Sequence, residues 1–244
     1  MKTAWYLGHS ENQISDRAIL VGDPDRIDRI AELLAEPEFL PPKRGLRTVV
    51  GTYNNIEVTV VAFGMGSPIA TIVLHELADL GTKIFLRIGT AMHFPPAVPG
   101  NYLISENAIS FEGTSSSYYD GKIPVDADKN LVKKLMKTAD KLHQKALPGT
   151  FATFDAFYRD MFSMDEDGKI RVSKIRKELL NDSVLATDME TSALLAAAKA
   201  LKVDAATLCL GTVCGISQKK LDAISLKNLE KVMFEIALKA ITSD

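Results

Sequence analysis

The sequence predicts one α/β domain over residues 1–244, with a mixed central β-sheet flanked by helices. Short apolar segments of strand length alternate with amphipathic segments of helix length through much of the chain, an order typical of this class. The composition, 46% hydrophobic and 25% charged, is ordinary for a globular protein. A chain of this length buries a sizeable core without disulfides or metals.

The first half of the chain begins with a strand that runs into a helix. Asp23 suits the N-cap of that helix and Pro24 its first turn. Asn54 and Asn55 separate two further strands, which predicts a hairpin. The predicted strands are Ala18–Val21, Arg47–Tyr53, Ile56–Ala62 and Lys83–Ile88; the predicted helices run from Pro24 to about Ala35 and from about Pro68 to Gly81.

The second half repeats the alternation. Leu131, Leu135 and Leu142 share one face of a predicted helix. The polar, charged segment from Ser163 to Asp182 predicts a loop that carries a surface helix. The predicted strands are Asn101–Ile109, Thr150–Phe154, Val184–Met189 and Ala205–Val213, and the predicted helices are Ala127–Lys145, Glu190–Leu201 and Leu226–Ile241.

Charge and patterning exclude several classes of partner. The net charge of −2 predicts no broad basic surface, so we expect no nucleic-acid partner. The N-terminal residues lack the apolar core of a signal peptide, and no apolar run approaches the roughly 18 residues of a membrane span. We therefore expect a cytoplasmic protein with no membrane partner. Neither the two cysteines nor the four scattered histidines form a metal motif.

Polar or glycine-rich residues follow several of the predicted strands, at the sheet edge where α/β proteins bind ligands. Gly22 lets an anion approach the unpaired N–H groups of a helix N-terminus, and Arg26 adds a charged donor in the first turn. The alternative is an ordinary capped helix with a surface arginine.

Arg87 is embedded in the apolar strand that ends at Gly89 and Thr90. Arginine rarely occupies such a strand unless its charge is paired or binds an anion. The sequence therefore predicts either an anion site, to which the Thr90 hydroxyl contributes, or an internal salt bridge.

Asp188 and Glu190 flank Met189 where another strand becomes a helix. Carboxylates at this place can accept hydrogen bonds from the hydroxyl groups of a sugar. The alternative is an acidic helix start, which the helix dipole favours.

Together these segments resemble the nucleoside phosphorylase family that includes uridine phosphorylase and the hexameric purine nucleoside phosphorylases. The resemblance runs from Trp5 to Ile241 and is strongest in Val21–Arg26, Phe85–Thr90 and Asp188–Thr191. It implies a pentosyltransferase that uses inorganic phosphate to split a nucleoside into a free base and (deoxy)ribose 1-phosphate. It implies no metal and no cofactor. The run Val61–Thr90 is closest to the uridine phosphorylase branch.

The resemblance also implies roles for individual residues. The implied catalytic residues are Arg87, Arg26 and Glu190. The implied phosphate-binding residues are Gly22, Arg26, Arg44, Arg87 and Thr90. The implied ribose-binding residues are Met189, Glu190, Tyr6 and His9. The implied base-binding residues are Phe157, Arg159 and Met92.

Some of these residues would act across a subunit boundary. Arg44 matches an arginine lent to a neighbour's phosphate, and Tyr6 or His9 stands where the family lends a histidine to a neighbour's ribose. The resemblance therefore implies a homo-oligomer, a hexamer built from dimers. The chemistry requires Arg26, Arg44 and Arg87 to converge on one oxyanion at one edge of the sheet.

The base-contacting positions match neither branch of the family. Met161 and Ser163 stand where the uridine branch has a glutamine and an arginine, and Val213 or Cys214 stands where the purine branch has an aspartate. We therefore expect an unusual base preference, with Arg159 as a substitute contact. A phosphate-independent nucleosidase and a non-catalytic nucleoside- or phosphate-binding relative are the alternative functions.

Overall fold

The computed structural model describes residues 2–119 and 124–243 and confirms the predicted α/β class. The strands are β1 Arg17–Val21, β2 Ala35–Lys43, β3 Leu46–Tyr53, β4 Ile56–Ala62, β5 Ile84–His93, β6 Tyr102–Phe111, β7 Val125–Asp126, β8 Ala146–Phe154, β9 Ala186–Asp188 and β10 Asp204–Cys214. The α-helices are α1 Asp25–Ala31, α2 Ser67–Asp79, α3 Lys129–Lys141, α4 Glu166–Asn181, α5 Thr191–Leu201 and α6 Ala223–Ile241. A π-helical turn spans Phe157–Met161.

All of these strands join one mixed sheet. Strands β4, β1, β5 and β10 are parallel neighbours, and β3 and β2 extend the sheet as an antiparallel edge. Strands β5, β10, β6, β8 and β9 close a ring, because β10 pairs with β6, β6 with β8, β8 with β9, and β9 with β5, and the short strand β7 pairs with β6. The ring brings the end of β9 beside the end of β5, where Thr187 pairs with Met92.

The core follows from the apolar strands. Ala18–Val21 is fully buried, as expected for a parallel strand in the interior of an α/β sheet. Helix α2 packs on α5, and α6 packs on α3, β5 and β10. A second, smaller apolar cluster lies between the ring and α4; it contains Met92, Phe94, Ala152, Phe154, Met161, Leu179 and Val184.

The structure corrects the prediction after β1. The first helix ends at Ala31, and the prediction that it continues to about Ala35 is wrong, because Ala35–Lys43 forms β2. Proline is excluded from central strands but tolerated at an edge, and within the described residues β2 pairs with β3 alone. The prolines of the segment 35–43 argue against a strand in the sequence, but they are compatible with the edge strand that forms.

Other boundaries agree to within a few residues. The Asn54–Asn55 hairpin is confirmed, with φ of 50° and 61° at the two asparagines, as a tight turn between antiparallel strands requires. Helix α3 ends at Lys141, before the predicted Lys145, because β8 begins at Ala146.

Candidate active site

Several chain segments meet at the carboxyl end of the parallel strands. Leu20 of β1 lies opposite Arg87 of β5, so Gly22 follows at the same edge. The Gly64 amide donates to the Gly22 carbonyl at 3.0 Å. The Gly66 amide donates to Glu190 Oε1 at 2.8 Å. The loop before α2 therefore connects the end of β1 with the segment after β9.

Arg87 lies at the centre of this meeting point and is 6% exposed. Its Nη1 lies 2.8 Å from Asp188 Oδ2, and its Nη2 pairs with Glu190 Oε2. Burial alone would lower the pKa of Arg87, but the neighbouring acidic groups, Glu190 foremost, raise it above its ordinary value. The guanidinium therefore stays charged, and the internal salt bridge, one of the two predicted alternatives, is present.

The ion pairs leave part of the Arg87 guanidinium available. Its Nη1 also donates to Cys209 Sγ at 3.1 Å, whereas its buried Nε has no hydrogen-bond partner among the described residues. Burial raises the pKa of the Cys209 thiol to about 12, so this sulfur remains neutral. A buried guanidinium N–H without an acceptor is a donor that a ligand can satisfy.

Glycine at position 89 makes room for this guanidinium. A Cβ at Gly89 would lie 3.1 Å from Arg87 Nη2 and 3.3 Å from Arg87 Cζ. Gly22 is constrained differently, because a Cβ there would lie 2.8 Å from the Gly64 carbonyl oxygen. Glycine is thus required at position 22 by the packing of two backbone segments, in addition to any close approach of an anion.

Asp188 is fixed by groups from neighbouring elements. Its Oδ1 accepts from Thr153 Oγ1 at 2.9 Å and from the Thr191 amide at 3.3 Å, and the Thr191 hydroxyl donates to its Oδ2. Thr153 Oγ1 in turn accepts from the Ser192 amide at 2.9 Å. This network holds the carboxylate, and through it the guanidinium of Arg87, in one position.

Arg26 is also buried and paired. Its Nη2 lies 2.7 Å from Glu230 Oε1, and Arg29 Nη1 lies 2.7 Å from Glu230 Oε2. Arg26 is 8% exposed, so the alternative interpretation as a surface arginine is wrong. Its hydrogen bonds run through Nε and Nη2, which leaves Nη1 without a partner in the described ranges.

Charge balance distinguishes this site from a simple cationic pocket. Guanidiniums and carboxylates are equal in number among the paired groups, which are Arg26, Arg29, Arg87, Asp188, Glu190 and Glu230. The cluster therefore has no net positive charge of its own, and a phosphate dianion would be favoured by a further cation.

Arg44 does not lie with Arg87 in the same chain. It occupies the turn between β2 and β3, with φ of 54°, and its guanidinium lies 4.6 Å from the centroid of the Tyr6 ring. This turn is at the same edge of the sheet, but three strand spacings from β5, roughly 14 Å. The predicted convergence of arginines is therefore incomplete within one subunit.

The two candidate ribose contacts near the N-terminus differ in how exposed they are. His9 is 3% exposed, its Nε2 lies 2.9 Å from Thr48 Oγ1, and burial lowers its pKa. Tyr6 is partly exposed beside Arg44, and its amide donates to Glu76 Oε1 at 2.6 Å. Tyr6 is thus the more accessible of the two to a neighbouring subunit.

The residues predicted to bind the base are not brought together. Met92 is 7% exposed and belongs to the small apolar cluster, against which Met189 also packs. Phe157 and Arg159 lie on the exposed side of the π-helical turn, where Phe157 stacks with Phe162 at 6.1 Å between ring centroids. Their roles stay predictions, as does that of the partly exposed Thr90.

Sequence reasoning missed several groups in this site. Asp188 belongs to a segment that the sequence analysis marked as a candidate site. Nothing in the neighbouring sequence, however, indicates that Asp188 pairs with Arg87. Gly66 lies in a glycine-rich loop that is only a weak signal by itself, and its partner Glu190 is 124 residues away along the chain. Glu230 carries no motif, and its partner Arg26 is 204 residues away. Only the folded sheet brings them together.

Comparison with known proteins identifies relatives that match along most of the chain. Residues 16–237 match the family model described as the phosphorylase superfamily. The guanosine phosphorylase of Halorubrum lacusprofundi is 28% identical over 96% of this chain and 95% of its own length. The uridine phosphorylase of Haemophilus influenzae is 28% identical over 91% of this chain and 90% of its own.

A solved structure supports the same relationship. The uridine phosphorylase of Vibrio fischeri, crystallised with 6-hydroxy-1-naphthoic acid, superposes with a TM-score of 0.88 at 26% identity. The superposition covers 98% of this chain and 96% of that one. The predicted family and fold are thereby confirmed: this chain belongs to the phosphorylase superfamily.

Proposed function

We propose that this protein cleaves a nucleoside with inorganic phosphate, giving a free base and a pentose 1-phosphate. Phosphorolytic glycosyl transfer is the reaction that the family and the relatives' names support. The observation that carries the proposal is the contact between Arg87 and Glu190. It joins a cation suited to phosphate directly to a carboxylate suited to ribose hydroxyls.

The reaction follows from the charges that develop. As the C1′–N bond breaks, its electron pair goes to the base and the sugar becomes an oxocarbenium-like cation. A phosphate oxygen then bonds to C1′, and the proton that hydrogen phosphate loses reaches the base through solvent. The enzyme contributes by holding both reactants in register.

The phosphate would be bound by N–H and O–H donors that the internal ion pairs do not use. These are Arg87 Nε, Arg26 Nη1, the Thr90 hydroxyl and the backbone after Gly22. Donors already fixed by buried carboxylates need little reorganisation when the transition state forms. The same carboxylates keep the arginines in place when phosphate is absent.

The ribose would be bound by Glu190 and Met189. The Glu190 carboxylate accepts hydrogen bonds from Gly66 and Arg87, and a carboxylate has acceptor sites for about two more donors. The sugar hydroxyls are suitable donors. Met189, which packs against the small apolar cluster, would contact the sugar ring.

A second subunit would supply the missing cation. The Arg87 cluster has no net positive charge, whereas Arg44 is exposed at the sheet edge with Tyr6 against it. We propose that each dimer exchanges Arg44 and Tyr6 between its two sites, and that dimers assemble into a hexamer. The active unit is then at least a dimer.

Mixing inactive variants tests this exchange. We expect Arg44→Ala and Glu190→Ala to be nearly inactive separately, and to recover roughly a quarter of wild-type activity after unfolding and refolding together. Half of randomly assembled dimers are hybrids, and each hybrid has one site in which both residues are intact. No recovery, with dimers confirmed by mass, would place Arg44 outside the neighbour's site.

The overall reaction is tested with a panel of nucleosides, with and without phosphate. We expect base release that depends on phosphate, with pentose 1-phosphate formed in equal amount. Release without phosphate would indicate a nucleosidase, and no release together with phosphate binding would indicate a non-catalytic relative. Either result would overturn the proposal.

We further propose a single-domain protein of the cytoplasm that needs phosphate as co-substrate and no cofactor. All strands of the described segments join one sheet, in keeping with one domain. Within those segments, no helix combines the length and the apolar character needed to cross a membrane.

A further inference from the structure

Arg176, on the inner side of α4, is an arginine that the site described above does not use. Its Nε is buried and has no hydrogen-bond partner among the described residues. Its Nη2 lies 3.4 Å from the Met161 carbonyl oxygen, a long contact. Burial lowers its pKa, so the positive charge is held against a desolvation cost.

In the part of the chain that the structure describes, Arg176 has no carboxylate partner, whereas Arg26 and Arg87 each have one or more. Asp160 lines the same cavity, but it pairs with Arg171 at 2.7 Å. In residues 2–119 and 124–243, no acidic side chain lies within salt-bridge distance of Arg176. Arg176 as a whole is partly exposed, but among the described residues its buried Nε has no acceptor and its charge has no counter-ion, so a ligand that brings an acceptor with negative charge would satisfy both.

Gln218, in the segment between β10 and α6, completes the polar group. With its side-chain oxygen directed at Arg176, the amide accepts from both terminal nitrogens of the guanidinium, at 3.2 Å from Nη1. The orientation of the guanidinium is thereby fixed. A buried Thr187 hydroxyl, which also lacks a partner in the described chain, lines the same cavity.

The cavity lies next to the proposed sugar site. Met92, Phe154 and Met161 form its apolar walls and fill most of it. Thr187 immediately precedes Asp188, and Met189 packs against the same cluster. Methionine side chains are flexible, so Met92 and Met161 can move aside for a flat ring. The cavity itself has a volume of only about 10 Å³, so a base joined to a ribose on Glu190 would enter it by displacing Met92 and Met161.

We propose that Arg176, oriented by Gln218, binds the nucleobase and stabilises the negative charge that the base acquires as it leaves. This inference rests on the proposed function. A guanidinium has only donors, so it favours a base that presents a carbonyl oxygen. Uracil, hypoxanthine and guanine have such an oxygen beside a ring nitrogen, whereas adenine has an amino group instead. The substrate class is therefore the 6-oxopurine or uracil nucleosides.

The test compares Arg176→Met, Arg176→Lys and the control Lys177→Met, whose side chain is exposed on the same helix. We expect Arg176→Met to reduce kcat/KM for uridine, inosine or guanosine by about 100-fold, with KM for phosphate unchanged. Arg176→Lys should retain part of the activity, because it keeps the charge but loses the planar donor pair. Lys177→Met should match the wild type.

Two further readouts separate base binding from a structural role. A nitrophenyl riboside, whose leaving group is stable as an anion, should lose less than 10-fold in Arg176→Met, because it needs little stabilisation. The melting temperature should change little, because Arg176 is partly exposed and forms no ion pair within the described residues. Equal losses on all substrates, or none, would overturn the assignment.

The outcome is distinguishable from failure of the proposed function. If the wild-type protein releases no base from any nucleoside, the proposed reaction fails. If the wild type is active and Arg176→Met and Arg176→Lys both act like it, only the assignment of Arg176 fails. Should Arg176→Met not fold, the comparison of Arg176→Lys with Lys177→Met on the same substrates decides the question.

Discussion

Replacing Arg87 by alanine is expected to abolish phosphorolysis, with kcat/KM lowered by about 1,000-fold or more, and to weaken the fold at the same time. The first effect follows from loss of the cation that is proposed to bind phosphate. The second follows because Asp188 and Glu190 are 3% exposed and would be left as buried carboxylates without their partner. Breaking a buried ion pair in this way costs about 3–5 kcal/mol.

The two effects can be separated by neutralising the carboxylates. In the triple variant Arg87→Met, Asp188→Asn, Glu190→Gln, no buried charge is left unpaired, so most of the stability lost in Arg87→Ala should return. Activity should not return. Urea unfolding measures the stability, and initial rates at varied phosphate measure the activity. The matched control is Arg47→Ala, because Arg47 pairs with Asp28 at the surface, where such pairs contribute about 0–1 kcal/mol.

A result in which Arg87→Ala keeps wild-type dependence on phosphate would contradict the assignment of Arg87. A result in which the triple variant is as unstable as Arg87→Ala would show that the packing of Arg87 over Gly89 matters more than the charge balance. The ion pairs thus predict that the stability of the fold depends on Arg87, and the sequence of the strand alone does not indicate this dependence.

The fold class was predictable because its signals are local. The apolar segment Ala18–Val21 and the Asn54–Asn55 turn each specify their own conformation, through burial and through positive φ. Strand β2 was not predictable, since Leu40 is its only buried residue and its prolines disfavour a strand. Its conformation is imposed by pairing with β3, a contact that sequence periodicity does not encode.

The site was predictable in part, for the same reason. An arginine in an apolar strand had to be paired or to bind an anion, and that statement about Arg87 needs no tertiary information. Its partners were not predictable, because Asp188 and Glu190 lie 101 and 103 residues further along the chain. Arg176 had no signal in the sequence, because it lies among other charged residues of a polar helix, and only packing against the ring buries its Nε.

Replacing Glu190 by glutamine is expected to lower kcat/KM by about 100-fold, mainly because the sugar would be bound and positioned less well. The substitution keeps the shape but turns one acceptor oxygen into a donor. Glu190 Oε1 accepts from the Gly66 amide at 2.8 Å and Oε2 accepts from Arg87, so either orientation of the new amide opposes one donor or the other. The acceptor sites left for ribose hydroxyls are reduced or displaced.

The stability of this variant should fall by less than that of Arg87→Ala. Arg87 keeps its pair with Asp188 at 2.8 Å, so no charge is left alone, and the expected cost is about 1–3 kcal/mol. Glu166→Gln is the control, because the Glu166 side chain is 86% exposed and forms a surface ion pair with Lys169.

The sugar dependence gives the sharper measurement for Glu190→Gln. If Glu190 binds the ribose hydroxyls, the variant should discriminate between ribose and 2′-deoxyribose substrates differently from the wild type, while KM for phosphate changes less than KM for the nucleoside. A uniform loss, with KM for phosphate raised as much as KM for nucleoside, would mean that Glu190 acts only by holding Arg87. In that case the carboxylate is a positioning group, and the ribose is held by other residues.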